Sequence, residues 1–161
     1  TPVPFDREWD ISNIDCKTQS AVLMSKFMYT SLLEEILKNE INLNVIIDKN
    51  NDSGMVYKND LDKYIHMKSK DIVDNTMIKL KKHLTDIGHH KAKELYLDEP
   101  LNMCVRIAEK KYDDYLKNAY INTGVKKLVT NMYDATKNDA INISKNVIDN
   151  NINHDIDNGF Y

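Results

Sequence analysis

The chain has 161 residues, a formal net charge of −3 and a mean hydropathy of −0.56. General nucleic-acid binders carry a basic excess that neutralises phosphates, so this balance argues against nucleic acid as a partner. No apolar run approaches the ~18 residues of a membrane span. A chain of this length buries a sizeable core as one domain, and we expect a single helical-bundle domain over residues 1–161.

Glycine and proline are scarce, with four and three residues respectively. A many-stranded sandwich or barrel needs a turn signal about every 8–12 residues, and long stretches of this chain have none. The sequence therefore predicts an all-α four-helix bundle of long amphipathic helices. Short connections make neighbouring helices antiparallel, which predicts up-down-up-down topology.

Residues 1–15 hold two prolines, Phe5 and the only tryptophan, Trp9. We interpret them as an irregular lead-in whose aromatic side chains pack onto the bundle. The alternative is that Trp9 anchors a partner, because tryptophan is favoured at interface hot spots.

The first predicted helix covers about 16–48, with apolar residues from Met24 to Ile47 recurring at helical spacing. The β-branched run 45–47 favours a strand locally, but it is too short to change the helix prediction. The Asn/Asp-rich segment 48–54 is the clearest loop.

The second predicted helix covers about 59–97 and has the most regular pattern in the chain. Its apolar residues alternate steps of four and three, the spacing of coiled-coil-like packing. These residues, named the seam here, are Val73, Met77, Leu80, Leu84 and Ile87.

A third helix is predicted over about 100–121, because Pro100 suits a first helical position. A fourth is predicted over about 125–152, with Val125, Leu128 and Met132 on its core face. Gly124 is interpreted as the turn between them, although one longer helix running through it remains an alternative.

The two cysteines, Cys16 and Cys104, lie near the starts of the first and third predicted helices, hence at the same end of the bundle. In an oxidising compartment they could form a disulfide. In a reducing one they would be small buried apolar residues.

No catalytic motif occurs, so we expect neither an enzyme nor a cofactor. The best metal candidates are His83, His90 and Glu94 on one helix face, with His89 adjacent. We favour a solvated polar face near a helix end over a metal site.

The same helix carries a basic segment that could touch anionic lipid or an acidic partner. Its lysines are Lys79, Lys81, Lys82, Lys91 and Lys93. The alternative, which we favour, is that they only fill an exposed helix face. Polar residues at or beside seam positions, among them Thr76 and Lys91, suggest a loose core and a hypothesis of conformational opening.

The Asn/Lys/Ile bias, the start at Thr1, the two cysteines and four long helices without a catalytic motif resemble a small secreted helical protein of a malaria parasite. Within that class, the chain looks similar to the four-helix-bundle microneme protein essential for sporozoite cell traversal. The resemblance implies micronemal secretion, passage through host cells, and a host membrane or a host or parasite protein surface as partner. No site residues carry over from it.

A competing interpretation is an intracellular protein-binding module, such as a poxviral Bcl-2-like bundle, whose genomes share this composition. Against it, no segment is apolar on all sides, and Trp9 lies in Glu8-Trp9-Asp10 and not in the Asn-Trp-Gly-Arg type motif of that family.

Overall fold

A computed structural model describes residues 1–95 and 98–143, without the side chains of 95 and 98–101. It contains helices together with a three-stranded antiparallel sheet. The prediction of an all-α four-helix bundle with up-down-up-down topology is therefore wrong, and the fold is mixed α/β.

The segment predicted as the first helix is four separate elements. Helix α1 spans Cys16–Leu23, helix α2 spans Met28–Leu37, a 3₁₀ turn spans Glu40–Asn42 and strand β1 spans Val45–Asp48. Asp15 caps α1 by accepting a hydrogen bond from the backbone N–H of Thr18, which satisfies one of the free amides of the first turn.

The sheet is a meander in the order β1-β2-β3, with β2 at Ser53–Lys58 and β3 at Lys63–Lys68. Val56 of β2 lies opposite Val45 on one side and Ile65 on the other. Both four-residue connections end in an aspartate with positive φ, 53° at Asp52 and 47° at Asp62. Asp tolerates the left-handed region better than most residues, so these tight connections form without glycine.

Helix α3 spans Ser69–Leu95, and the second helix therefore begins about ten residues later than predicted, because β3 occupies the preceding segment. All five seam residues are buried, so the prediction of an apolar seam is confirmed. The remaining two predicted positions, 96–97, lie outside the described residues.

Helix α4 spans Asp98–Lys117, helix α5 spans Ala119–Ala135, and 137–143 are again helical. The break between α4 and α5 falls at Asn118, whose side chain accepts hydrogen bonds from the first amides of α5. The predicted turn at Gly124 is therefore wrong, since Gly124 lies within α5. The predicted extension over 144–152 lies outside the described residues.

Helix α3 is the centre of the fold, in contact with α1, α2, α4, α5 and the sheet. Thr76, counted above as a defect in the seam, is fully buried. Its hydroxyl donates to the backbone oxygen of Ile72 and lies 2.8 Å from the Tyr133 hydroxyl of α5. Its hydrogen bonds offset the cost of removing the hydroxyl from water, so Thr76 forms a directional contact between α3 and α5.

The N-terminal lead-in is tied down by hydrogen bonds. The N–H of Val3 donates to the backbone oxygen of Ile41 at 2.7 Å, and the N–H of Phe5 donates to that of Tyr57 at 2.9 Å. Phe5 and Trp9 are each only 4% exposed. Packing of these aromatic side chains is therefore confirmed, and Trp9 is not an accessible anchor for a partner.

Two glycines allow a matched test of how closely β2 packs against α3. A Cβ at Gly54 in β2 would lie 2.7 Å from the Ile46 carbonyl oxygen and 2.8 Å from Ile72 Cδ1, whereas one at Gly124 meets nothing within 4 Å. We expect Gly54→Ala to lower the free energy of unfolding by about 1–3 kcal/mol through overpacking. Gly124→Ala should raise it by about 0.5–1 kcal/mol, because alanine favours the helix.

Urea unfolding followed by circular dichroism measures both changes. Equal stability of the two variants would contradict the close packing of β2 against α3.

Candidate binding groove

An apolar groove lies between the start of α2, the end of α4 and the first half of α5. Its cavity volume is about 200 Å³. It is lined by Lys26, Phe27, Met28, Tyr29, Thr30, Met77, Lys111, Asp114, Tyr115, Ile121, Val125 and Leu128. We call this feature the groove.

The floor of the groove is rigidly held. Tyr29 and Tyr115 are buried, and each hydroxyl has a hydrogen-bond acceptor: the Ala108 backbone oxygen at 2.5 Å for Tyr29 and Asp74 Oδ1 at 2.6 Å for Tyr115. Burial raises the pKa of both phenols, so both stay neutral donors. Met28 and Met77, each 2% exposed, complete the floor.

The walls, in contrast, are exposed apolar side chains. Phe27 is 64% exposed, Leu128 52% and Ile121 38%. Single exposed apolar residues are ordinary, but several around one concavity mark an interaction site. The groove therefore has a fixed floor and an uncovered apolar rim.

Phe27 is also unusual in its backbone position. It is the N-cap residue, directly before the first helical residue of α2, and its side chain makes no capping hydrogen bond. Ser, Thr, Asp or Asn at such a position stabilises a helix by about 1 kcal/mol relative to a residue that cannot cap. Phe27 thus gives up a cap and exposes a ring to water, and local conflicts of this kind are expected at functional positions.

Ile121, Val125 and Leu128 follow each other along α5 at spacings of four and three, which puts them on one helix face. The sequence pattern predicted core positions for Val125 and Leu128. Val125 is partly buried and packs against the core, whereas Leu128 lies exposed at the groove, and Val129 and Tyr133 are the buried residues of α5. Met24, also predicted in the core, is 77% exposed beside the end of α1.

Two lysines and one aspartate contribute charge to the groove. The Lys26 ammonium lies 5.8 Å from the centre of the Phe27 ring, and the Lys111 ammonium donates to the Lys26 backbone oxygen at 2.6 Å. With Asp114 as the carboxylate of the lining, the groove is apolar at its centre and net positive at its edge.

The predicted basic segment of α3 does not form one exposed strip. Lys91 is only 2% exposed, and Lys79 is partly buried. The Lys79 ammonium lies 4.2 Å from the centre of the Trp9 ring and donates a hydrogen bond to the Phe5 backbone oxygen. Lys82 pairs with Glu8 and Lys81 lies over the Tyr112 ring. Lys93 is exposed. Most of this segment holds neighbouring elements in place.

The predicted metal candidates are separated in the structure. His83 is buried, with its ring 5.8 Å from that of Trp9, and burial lowers its pKa. His90 and Glu94 form an exposed pair at 3.5 Å, and His89 is exposed. No group of three or more potential ligands is placed to hold a metal ion within residues 1–95 and 98–143.

The two cysteines are free, Cys16 exposed and Cys104 buried, so of the two alternatives the structure contains the unpaired cysteines and not the disulfide. Cys16 instead contacts Lys91, whose ammonium donates to the Cys16 backbone oxygen at 2.9 Å and to its Sγ at 2.8 Å. The seam-adjacent Lys91 therefore fastens α1 to α3.

Thiol labelling tests this arrangement. We expect iodoacetamide to modify Cys16 in the folded protein while Cys104 stays protected by burial, and denaturant to make both reactive. Peptide mapping by mass spectrometry measures each site, with Cys16→Ser as the control. A protein with no free thiol would indicate that the cysteines pair after all.

Lys79 gives the protein a specific pH dependence. Burial lowers its pKa to about 8 from an ordinary 10.5, while the nearby charge of Asp6 acts in the opposite direction. Between these pH values the unfolded chain binds a proton that the native protein has released, so stability rises with pH. From about pH 9.5 the trend reverses, because burial raises the pKa of several tyrosines, among them Tyr29, Tyr64 and Tyr57 (to about 12), whereas tyrosines of the unfolded chain ionise around pH 10.

We therefore expect the free energy of unfolding to increase from pH 8 to about pH 9, and Lys79→Met to flatten that increase. Urea titrations across this range, followed by Trp9 fluorescence, measure the slope. An identical slope in wild type and variant would contradict the assignment to Lys79.

Comparisons with protein-family models, with curated proteins and with solved structures found no match to this chain. Among the helices that the structure describes, none combines the length and apolarity of a membrane span. The geometry of the groove therefore provides the best guide to function.

Proposed function

We propose that the protein is a binding module whose groove holds an amphipathic helical segment of a partner protein. The proposal rests on the exposure of Phe27. This aromatic side chain stands at the N-cap of α2, where a residue able to cap would stabilise the helix more. Such a residue is explained if a partner covers it, since aromatic anchors dominate binding energy at interfaces.

The size of the groove favours a protein segment over a small molecule. Its volume of about 200 Å³ is below the roughly 300–1,000 Å³ of small-molecule sites. It suits one or two apolar side chains projecting from a partner. Helix-in-groove recognition presents such anchors at spacings of three, four and seven residues.

The charges specify the partner further. Lys26 and Lys111 lie at the edge of an apolar centre, against one carboxylate of Asp114. Complementary charge around an interface steers encounter and selects the partner. The segment should therefore carry acidic residues beside its apolar anchors.

This proposal keeps the binding-module interpretation of the sequence but not its Bcl-2-like form, because the chain contains a sheet beside α3. The cell-traversal role stays a prediction from composition, since the four-helix architecture that also supported it is wrong.

A library of helical peptides displayed on phage, selected on the folded protein, tests the proposal. We expect enriched peptides with apolar residues at helical spacing and flanking acids. Phe27→Ser should weaken their binding roughly thirtyfold, the effect of losing a hot spot of about 2 kcal/mol. Stability should be retained, because serine is a good residue at a helix start. Fluorescence anisotropy with a labelled peptide measures affinity.

Leu61→Ser is the matched control, because Leu61 is 49% exposed in the β2–β3 connection and far in sequence from the groove. Equal binding by both serine variants would place the peptides elsewhere and contradict the proposal. Concentration-dependent self-association that Phe27→Ser abolishes would make a second copy the occupant and would likewise contradict it.

A further inference from the structure

A second cavity, separate from the groove, is surrounded by lysines. It lies between the β1–β2 connection, the first turns of α3 and the middle of α5, with a volume of about 570 Å³. Its lining includes Lys49, Lys70, Lys126 and Lys127, two from α5 and one from each of the other elements. We call it the basic cavity.

Most of this positive charge is not neutralised. Lys49 forms an ion pair with Asp134, with 3.6 Å between its ammonium nitrogen and Asp134 Oδ2. Lys70, Lys126 and Lys127 have no ion-pair partner within the residues that the structure describes. The carboxylate of the lining belongs to Asp52, which accepts a hydrogen bond from the Ser69 hydroxyl.

The chain as a whole has a net charge of −3. The other large cleft, along the lead-in, also holds four cations, Arg7, Lys58, Lys79 and Lys82. There, however, Lys82 pairs with Glu8, Lys58 pairs with Asp6, and Lys79 donates to the Phe5 backbone oxygen. Like charges gathered around one concavity repel one another and raise the local concentration of a counter-ion. The basic cavity is the place where an anion would relieve that repulsion.

The interior of the basic cavity supplies neutral polar groups as well. Val73 forms an apolar part of the lining, while Thr130 and Asn131 of α5 present a hydroxyl and an amide. Lys70 lies in the first turn of α3, where the helix dipole adds to the positive potential. Ammonium groups beside hydroxyl and amide donors match the several oxygens of a phosphate.

We propose that the basic cavity binds a phosphate-bearing small molecule or headgroup. The volume is in the range of small-ligand sites, roughly 300–1,000 Å³. The lysines converge on one cavity and do not follow an extended track, which fits a compact polyanion better than a nucleic-acid backbone. This site is independent of the groove and of the function proposed for it.

Isothermal titration with pyrophosphate and with sulfate tests the site. We expect pyrophosphate to bind more tightly than sulfate, with affinity that falls as salt is added, because salt screens exposed charges. Lys126→Gln combined with Lys127→Gln should weaken binding by about tenfold or more, the scale of a lost charge-assisted hydrogen bond. Amide shifts in nuclear magnetic resonance should locate the pyrophosphate at Ser69 and Lys70.

The control double variant is Lys17→Gln with Lys110→Gln, which removes the same charge from exposed positions outside the basic cavity. Equal loss in both double variants would show an effect of overall charge and overturn the proposal. Equal affinity of the wild-type protein for pyrophosphate and sulfate would overturn the proposal too. So would a wild-type protein that binds neither pyrophosphate nor vesicles.

Flotation with phosphatidylcholine vesicles, with and without phosphatidic acid, separates the two sources of phosphate. Flotation that requires phosphatidic acid and Lys126 with Lys127 identifies a lipid headgroup. Binding of pyrophosphate without flotation identifies a soluble ligand, and both results support phosphate recognition. Phe27→Ser should leave either result unchanged.

Discussion

Burial of one apolar stripe along α3 holds the other elements together. The sheet, α2, α4 and α5 all contact this helix, and its seam residues are at most 5% exposed. Burying a side chain of leucine size contributes about 1.5–3 kcal/mol, so the seam supplies much of the driving force for docking. Because Thr76 meets Tyr133 within that stripe, a directional contact also fixes how α5 is rotated against α3.

The sequence predicted the parts of the fold in which spacing alone determines burial. The seam of α3 repeats regularly, and Val105, Ala108 and Tyr115 of α4, which recur at helical spacing, are buried as well. The sheet was missed because glycine and proline were treated as the main turn signals. Asn and Asp form the tight connections here, with Asp52 and Asp62 in the left-handed region. The first connection lies in the loop predicted at 48–54, but the preceding run 45–47 and the second connection, 59–62, were both assigned to helices.

The groove was missed for a different reason. Leu128 has the spacing and residue type of a core position, but helical periodicity indicates only that a face is apolar. Whether another element covers that face depends on tertiary packing, which here turns Val129 and Tyr133 inward. The same limit applies to Lys79 and Lys91. Their charge suggested exposure, but long aliphatic stems let lysines reach carbonyl oxygens from beneath a neighbouring segment.

The lead-in also has a consequence for biosynthesis. Several hydrogen bonds join residues that are far apart in the chain. Lys79 donates to the Phe5 backbone oxygen across 74 residues, and Lys91 donates to that of Cys16 across 75. The Tyr29 hydroxyl donates to the Ala108 backbone oxygen across 79. A ribosome adds about 5–20 residues per second, so Phe5 and Trp9 emerge several seconds before the helix that covers them. During that interval the nascent chain presents two aromatic rings that the native contacts do not yet cover.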